Sequence, residues 1–344
     1  MGSEVFMVQA PLTNSGTIIY GRNSFSFCCK EICHFSANEN GTTKFQNVEI
    51  SSTGPTFAYI LNGTCGSNEK NVSISTIFAD NKPEKGLSAL DLTKLVLERA
   101  ENADSAVDVV TKLIDEYNEE VAADVSPKYS FFICDMNTAY VLDIFGKVWA
   151  AEKITEAFRA FSNGFGVTTK IDKKSENLED KLKDMGLYDG SGDLNFSQAV
   201  SMTASESKWP CDEPTSGFSA QQMFEVLRSS EADKIASSFV GVLKESISVH
   251  WFTGTENPRE SVFKPFIFTS NVRISPLTTI KSDEDEPLLR KLHANRKWDQ
   301  VGDLLKSLEK SCVDEVDGFA DNVPTPELDE LLKDCVEAEV KFYR

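Results

Sequence analysis

The sequence predicts an α+β protein. Short apolar or alternating runs crowd the first 80 residues, two helical segments follow them, and strands return at residues 129–151. From residue 287 onward, leucine and valine recur at helical spacing. Strands and helices that segregate along the chain, rather than alternate, are typical of antiparallel sheets with helices packed beside them.

The chain enters the predicted sheet within its first residues. Residues 5–8 and 17–20 are apolar runs, and the Thr-Asn-Ser-Gly turn at 13–16 joins them, so we expect a β-hairpin. Most domains leave their first residues loose. Further strands are predicted at 45–50, 56–61 and 72–78.

Two helices and a β-meander follow. Ser88 begins a segment with a capping-box pattern and apolar residues at helical spacing to residue 100, and a second helix opens at Asp104 or Ser105. The meander consists of strands at 129–134, 139–144 and 147–151.

The second half mixes both types of element. Residues 168–198 are polar and predict surface helix and loop, and a short helix is expected around 223–227. A buried strand is predicted at 247–252, with His250 packed rather than catalytic. Helices are expected over 288–292, 301–308 and 328–340, the last with Thr325 as N-cap and Pro326 as its first residue.

Charge and hydropathy exclude several classes of partner. The chain has 35 basic and 54 acidic residues, a formal charge of −19 that would repel nucleic acid and anionic membranes. No run approaches the roughly 18 apolar residues that span a bilayer, and no signal peptide is visible. We therefore predict a cytoplasmic protein that neither inserts into membranes nor binds nucleic acid.

Searches for common catalytic and metal motifs return little. The eight cysteines are expected to be reduced. Cys28, Cys29, Cys33 and His34 lie close together, but their spacing matches no zinc pattern, and adjacent cysteines on a strand point to opposite faces. We expect no metal and no cofactor. Phosphate loops and nucleophile elbows are absent from the sequence, and three histidines leave little room for a triad.

One class of enzyme does require its chain to start in a sheet. In an N-terminal-nucleophile hydrolase, the side chain of the first residue attacks an acyl carbon and its own α-amino group accepts the proton. Such a site needs a Cys, Ser or Thr held by the sheet, and amide groups that stabilise the oxyanion.

The sequence resembles the secernins, relatives of the cysteine-type dipeptidases with an N-terminal nucleophile. The motifs that carry the resemblance are YGRNS at 20–24, LERA at 97–100, GKVWAAEK at 146–153, FTGT at 252–255, SVFKPF at 261–266 and DCVEAEVKF at 334–342. The resemblance implies an αββα sandwich over residues 1–275, with a C-terminal helical segment, 276–344, packed on it.

The resemblance also places the family's functional positions. Counted back from YGRNS, the nucleophilic cysteine falls on Ser3, and the acidic residue that follows the motif in the family is Phe25 here. The family's Gly-Asn-Glu falls near residues 75–77, which removes an amide from the oxyanion site. Asn163 fits the second asparagine position and Arg22 the basic one. The resemblance thus predicts Ser3, Arg22 and Asn163 as vestigial site residues.

The function implied is that of a non-catalytic scaffold or binding protein with a protein partner, in regulated secretion such as exocytosis or near the cytoskeleton. One alternative is a dipeptidase or amidohydrolase that becomes active when removal of Met1 and Gly2 leaves Ser3 first. Another is a small-molecule binder that uses the vestigial pocket. Oligomeric state stays open.

Overall fold

The computed structural model describes residues 2–26, 30–38, 42–44, 49–51, 55–80, 86–118, 125–204, 208–232, 234–281, 284–319 and 326–343. Its strands are β1 Ser3–Val8, β2 Thr17–Ser24, β3 Cys33–Phe35, β4 Thr42–Lys44, β5 Glu49–Ser51, β6 Tyr59–Leu61, β7 Cys65–Asn68, β8 Ser73–Asp80, β9 Lys128–Cys134, β10 Ala139–Phe145, β11 Val148–Lys153, β12 Phe158–Ser162, β13 Lys173–Lys174, β14 Ser237–Lys244, β15 Val249–Phe252 and β16 Lys264–Phe266. Its helices are α1 Ala89–Arg99, α2 Ala103–Tyr117, α3 Leu178–Asp184, α4 Phe196–Ala199, α5 Ala220–Arg228, α6 Leu288–Ala294, α7 Trp298–Phe319 and α8 Leu331–Phe342. The α+β class predicted from the sequence is confirmed.

Two antiparallel sheets form the centre of the protein. A six-stranded sheet has the order β12-β1-β2-β14-β15-β16, and an eight-stranded sheet has the order β13-β11-β10-β9-β8-β7-β6-β3. The strands β4 and β5 pair separately. The predicted hairpin of β1 and β2 is confirmed, with Val8 opposite Ile19.

Three apolar cores fix the order of the layers. The first lies between the sheets, where the rings of Tyr20 on β2 and Phe132 on β9 have centroids 5.2 Å apart. The second packs α1 and α2 on the outer face of the eight-stranded sheet, and the third packs α5 and α7 on the outer face of the six-stranded sheet. The helix α8 contributes to two cores: Leu331 and Cys335 belong to the third, and Leu332, Val336 and Val340 to the first. The layers therefore run helix, sheet, sheet, helix.

Helix starts follow local capping chemistry. The Ser88 side chain accepts the Asp91 amide and Asp91 accepts the Ser88 amide, so the predicted capping box is confirmed. The predicted start of α2 at Asp104 or Ser105 is wrong. Asn102 is the N-cap because its side chain accepts the Ser105 amide at 2.8 Å, and Ser105 is its partner within the capping box.

The second half departs furthest from the sequence prediction. Residues 168–198 are not all surface, because Leu178, Leu182 and Phe196 are buried in the core between the sheets. Strands β12, β14 and β16 were not predicted at all. Pro326 begins a short 3-10 turn, Pro326–Leu328, whereas α8 begins at Leu331. The predicted features at 45–48, Cys28, Cys29 and Thr325 lie outside the described residues.

A buried ion pair attaches α8 to the six-stranded sheet. Lys264 on β16 and Glu339 on α8 are both fully buried, and Nζ lies 2.6 Å from Oε2. Lys264 also donates to the carbonyls of Thr253 and Val262, at 2.7 and 2.8 Å, and Tyr343 donates to the other oxygen of Glu339 at 2.6 Å. These bonds satisfy the buried ammonium group. Whether the chain divides into domains at residue 275 stays a prediction.

No helix in the described part of the chain is both long and apolar enough to cross a membrane.

We predict that Lys264→Met lowers the free energy of unfolding by about 3–5 kcal/mol, because it leaves the Glu339 carboxylate buried without its cation. Chemical denaturation measures this loss. The control Lys112→Met breaks an exposed pair with Glu116 and should change stability by less than about 0.5 kcal/mol. A double variant, Lys264→Met with Glu339→Met, should recover much of the loss; equal losses in the double and single variants would contradict the argument.

Candidate functional site

The strand β1 places Ser3 on the inner face of the six-stranded sheet. Side chains alternate along a strand, so Ser3 shares this face with Val5 and Met7, which lie in the core between the sheets. Ser3 is opposite Ser24 on β2. Its side chain is 0% exposed and points toward the eight-stranded sheet.

The hydroxyl of Ser3 joins the two sheets. Its Oγ lies 2.5 Å from the carbonyl oxygen of Thr76 and 3.3 Å from that of Ile77, both on β8. The pairing of β8 with β9 shifts register between Thr76 and Phe78, and such an irregularity turns backbone groups out of the regular ladder. A carbonyl oxygen accepts a hydrogen bond but does not take up a proton as a general base, so these contacts hold the hydroxyl without activating it.

The backbone before Ser3 is also held. Gly2 forms an antiparallel bridge with Phe78, and the Phe25 amide donates to the Gly2 carbonyl at 3.1 Å. Gly2 is thus placed between the two sheets. In this arrangement the nitrogen of Ser3 belongs to a peptide bond and is not a free amine.

The structure brings Asn163 next to this segment. The backbone N–H of Asn163 donates to the Ser3 carbonyl at 3.3 Å, and Asn163 has a positive φ of 30°. A Cβ at position 2 would collide with Asn163 Oδ1, so only glycine fits there without displacement of the asparagine. The Asn163 side chain therefore lies against the residue that precedes Ser3.

Arg22 lies buried on the same inner face, on β2. Its Nη2 donates to Thr64 Oγ1 at 3.1 Å, which connects β2 to the segment between β6 and β7. Nearby, Ser237 on β14 donates to Asn62 Oδ1 at 2.6 Å. Ser237 and Ser3 both lie opposite Ser24. The inner core thus ends in a polar group of residues that links the sheets, which we call the polar end: Ser3, Arg22, Ser24, Asn62, Thr64 and Ser237.

Two cavities are lined by residues that neighbour the polar end, although no residue of the polar end itself lines them. One, of about 190 Å³, is lined by Ile77, Arg159, Ser162 and the glycines at 164 and 166, and it adjoins the segment of Asn163. The other, of about 280 Å³, is lined by Phe25, Lys234, Ile235, Glu256 and Arg259. Phe25 is half-buried and presents a ring where the family resemblance implies a carboxylate.

A buried carboxyl group near the first cavity was missed at the level of sequence. Asp143 on β10 is fully buried and its Oδ2 accepts the Val167 amide at 2.7 Å. Burial raises the pKa of Asp143 to about 7, although the Ser130 hydroxyl, the Val167 and Gly166 amides and the Arg159 guanidinium act in the opposite direction. The signal was the single aspartate within the apolar run AYVLDIF.

The described histidines and cysteines near the sheets lie mostly in apolar surroundings. His250 is fully buried among rings, as predicted, and burial lowers its pKa to about 3. Burial, with the Glu31 carboxylate, raises the pKa of Cys33 to about 11. Among the described residues, which exclude Cys28 and Cys29, no group of three or more His, Cys, Asp or Glu side chains could hold a metal ion.

No family model matches the chain. The resemblance to the secernins therefore depends on the motifs quoted above.

We predict that Asp143→Asn becomes progressively more stable than the parent protein as the pH rises from about 4 to about 8. In the parent, the unfolded state releases the Asp143 proton near pH 4 whereas the folded state retains it to about pH 7, so folding becomes less favourable over this range. The difference in unfolding free energy between variant and parent should grow by about 4 kcal/mol. Urea denaturation at a series of pH values measures it.

The exposed Asp184 on α3 provides the matched control. For Asp184→Asn we expect a difference from the parent that stays nearly constant over the same pH range. A flat difference for Asp143→Asn would mean that Asp143 is ionised in the folded protein.

Proposed function

We propose that this chain is a secernin-like protein with an N-terminal-nucleophile type of αββα scaffold, that it has no hydrolase activity, and that it acts by binding another protein. The observation that carries the proposal is the burial of Ser3, whose single hydroxyl proton is directed at the carbonyl oxygens of Thr76 and Ile77 on the facing sheet.

Three features of the site argue against hydrolysis. The mechanism needs a free α-amine on the nucleophile, and Gly2 occupies that place, with its backbone bonded on both sides. The mechanism also needs a substrate to reach the nucleophile, and Ser3 is fully buried. A serine hydroxyl is also far less ionised near neutral pH than the cysteine thiol of the family.

The surface charge supports a binding role and indicates the kind of partner. A formal charge of −19 creates a field that attracts basic surfaces and repels acidic ones. Electrostatic complementarity of this kind accelerates association and selects partners. We therefore propose a partner with a basic surface, located in the cytoplasm.

The cavity of about 190 Å³ beside Asn163 favours a second candidate function, the binding of a small molecule without turnover. Its lining includes Arg159, Gly164 and Gly166. A ligand that occupies it would raise the melting temperature of the protein without being consumed.

We predict that the parent protein and Ser3→Ala are equally inactive as hydrolases. Ser3→Ala should also lower the free energy of unfolding by about 1–3 kcal/mol, because it removes a buried hydroxyl and leaves the Thr76 carbonyl without that donor. Release of amine from dipeptides and acyl amides measures the activity, and chemical denaturation measures the stability. The exposed Ser15 in the turn between β1 and β2 gives the control Ser15→Ala, which should change neither quantity.

The same assay on a chain trimmed to begin at Ser3 tests the hydrolase alternative directly. We expect no turnover, because trimming supplies the amine but leaves the hydroxyl buried between the sheets. Turnover that is present in the trimmed chain and lost in its Ser3→Ala variant would overturn the non-catalytic proposal. Thermal stabilisation by a dipeptide without turnover would favour the small-molecule candidate.

A further inference from the structure

Two helices of the outer layer bring a pair of cysteines into contact. Cys312 on α7 and Cys335 on α8 have sulfur atoms 3.0 Å apart, and both thiols are free. They are 2% and 6% exposed. Their surroundings are apolar and include Val313, Val316 and Leu331 of the same core.

This geometry is close to that of a disulfide. A disulfide has an S–S distance of about 2.05 Å, so the two sulfur atoms need to approach by only about 1 Å. Each cysteine lies on its own helix and 23 positions separate them, so the bond would join two separate elements of the chain.

We propose that Cys312 and Cys335 are a redox-active pair, which forms a disulfide by exchange with a small-molecule disulfide of the glutathione class and thereby fastens α8 to α7. This inference is independent of the function proposed above, because it concerns the outer helical layer and not the polar end between the sheets.

The exchange balances as two successive displacements. The thiolate of one cysteine attacks a sulfur of oxidised glutathione, forms a mixed disulfide and releases one glutathione thiolate. The thiolate of the second cysteine then attacks the protein sulfur of the mixed disulfide, forms the Cys312–Cys335 bond and releases the second glutathione. Each cysteine loses one proton and each glutathione gains one, so two electrons pass from the protein to the oxidant.

Burial makes the exchange slow. The neighbouring Cys312 thiol and burial raise the pKa of the Cys335 thiol, so little thiolate is present near neutral pH. Access of glutathione requires that the end of α8 opens. We therefore expect the reaction to accelerate with pH and with temperature below the unfolding transition.

The disulfide would attach the C-terminal helix α8 covalently to α7. The same helix carries Glu339, the partner of Lys264, and Tyr343 just beyond its end contacts His293 Nδ1 at 3.1 Å. A disulfide at Cys335 would hold these contacts together when the helix opens. The pair therefore sets how easily the C-terminal layer detaches from the six-stranded sheet.

The experiment uses the full chain, incubated with excess oxidised glutathione until its thiol content is constant. Free thiols are then alkylated in denaturant, and peptide mapping by mass spectrometry identifies linked cysteines. We expect one linked pair, Cys312 with Cys335, and a melting temperature raised by roughly 5 °C over the reduced protein. Complete alkylation of both cysteines would overturn the proposal, as would a linkage that leaves the melting temperature unchanged.

Three variants serve as controls. Cys312→Ala and Cys335→Ala should each lose both the linked peptide and the rise in melting temperature, with near-identical melting temperatures in oxidised and reduced buffer. Cys211, which is exposed, gives the matched control Cys211→Ala, in which linkage and stabilisation should persist. If Cys211→Ala abolishes the rise, the stabilising bond involves a different pair and the proposal fails.

Discussion

The pairing of β1 on both of its edges is the constraint on which the rest of the structure depends. The strand pairs with β12 on one side and β2 on the other, and it is packed on both faces. Val5 and Met7 enter the core between the sheets, whereas Phe6 and Val8 enter the core under the outer helices. Each such side chain contributes about 1.5–3 kcal/mol on burial. Because its neighbours come from residues 17–24 and 158–162, the six-stranded sheet is complete only when distant parts of the chain meet.

The polar end follows from the same alternation of side chains. An inner face that buries Val5 and Met7 also buries Ser3, and a buried hydroxyl requires partners. The register shift in β8 provides the carbonyl groups, and Thr64 provides an acceptor for Arg22. Groups that a nucleophilic site would use are thus engaged in holding the sheets together. This is the physical basis of the proposal that the site has a structural role.

The parts of the fold that were predictable are those that local interactions determine. The hairpin of β1 and β2 and the capping box at Ser88 are complete within a few residues, so their patterns appear in the sequence. Strands β12 and β14 pair with β1 and β2 across more than a hundred residues, and their own composition is not distinctive. The burial of Asp143 is signalled by the single aspartate within the apolar run AYVLDIF, but its contacts with the segment around Val167 depend on tertiary packing. The contact of Cys312 with Cys335 could not be predicted, because helix packing alone brings the two residues together.

The outer helical layer is attached by interactions that differ in kind from those between the sheets. The Lys264 and Glu339 pair is costly to desolvate, so it specifies where α8 lies more than it strengthens the fold. Packing of apolar residues supplies most of the attachment, and the pair of cysteines lies within that packing. A disulfide there would reduce the conformational entropy of the state in which α8 is detached. It would leave unchanged the contacts that α8 makes when it is packed. Leu332, Val336 and Val340 of α8 belong to the core between the sheets, but no side chain of α8 takes part in the hydrogen bonds of the polar end. A bond between Cys312 and Cys335 would therefore fasten α8 without adding to or removing any of those hydrogen bonds.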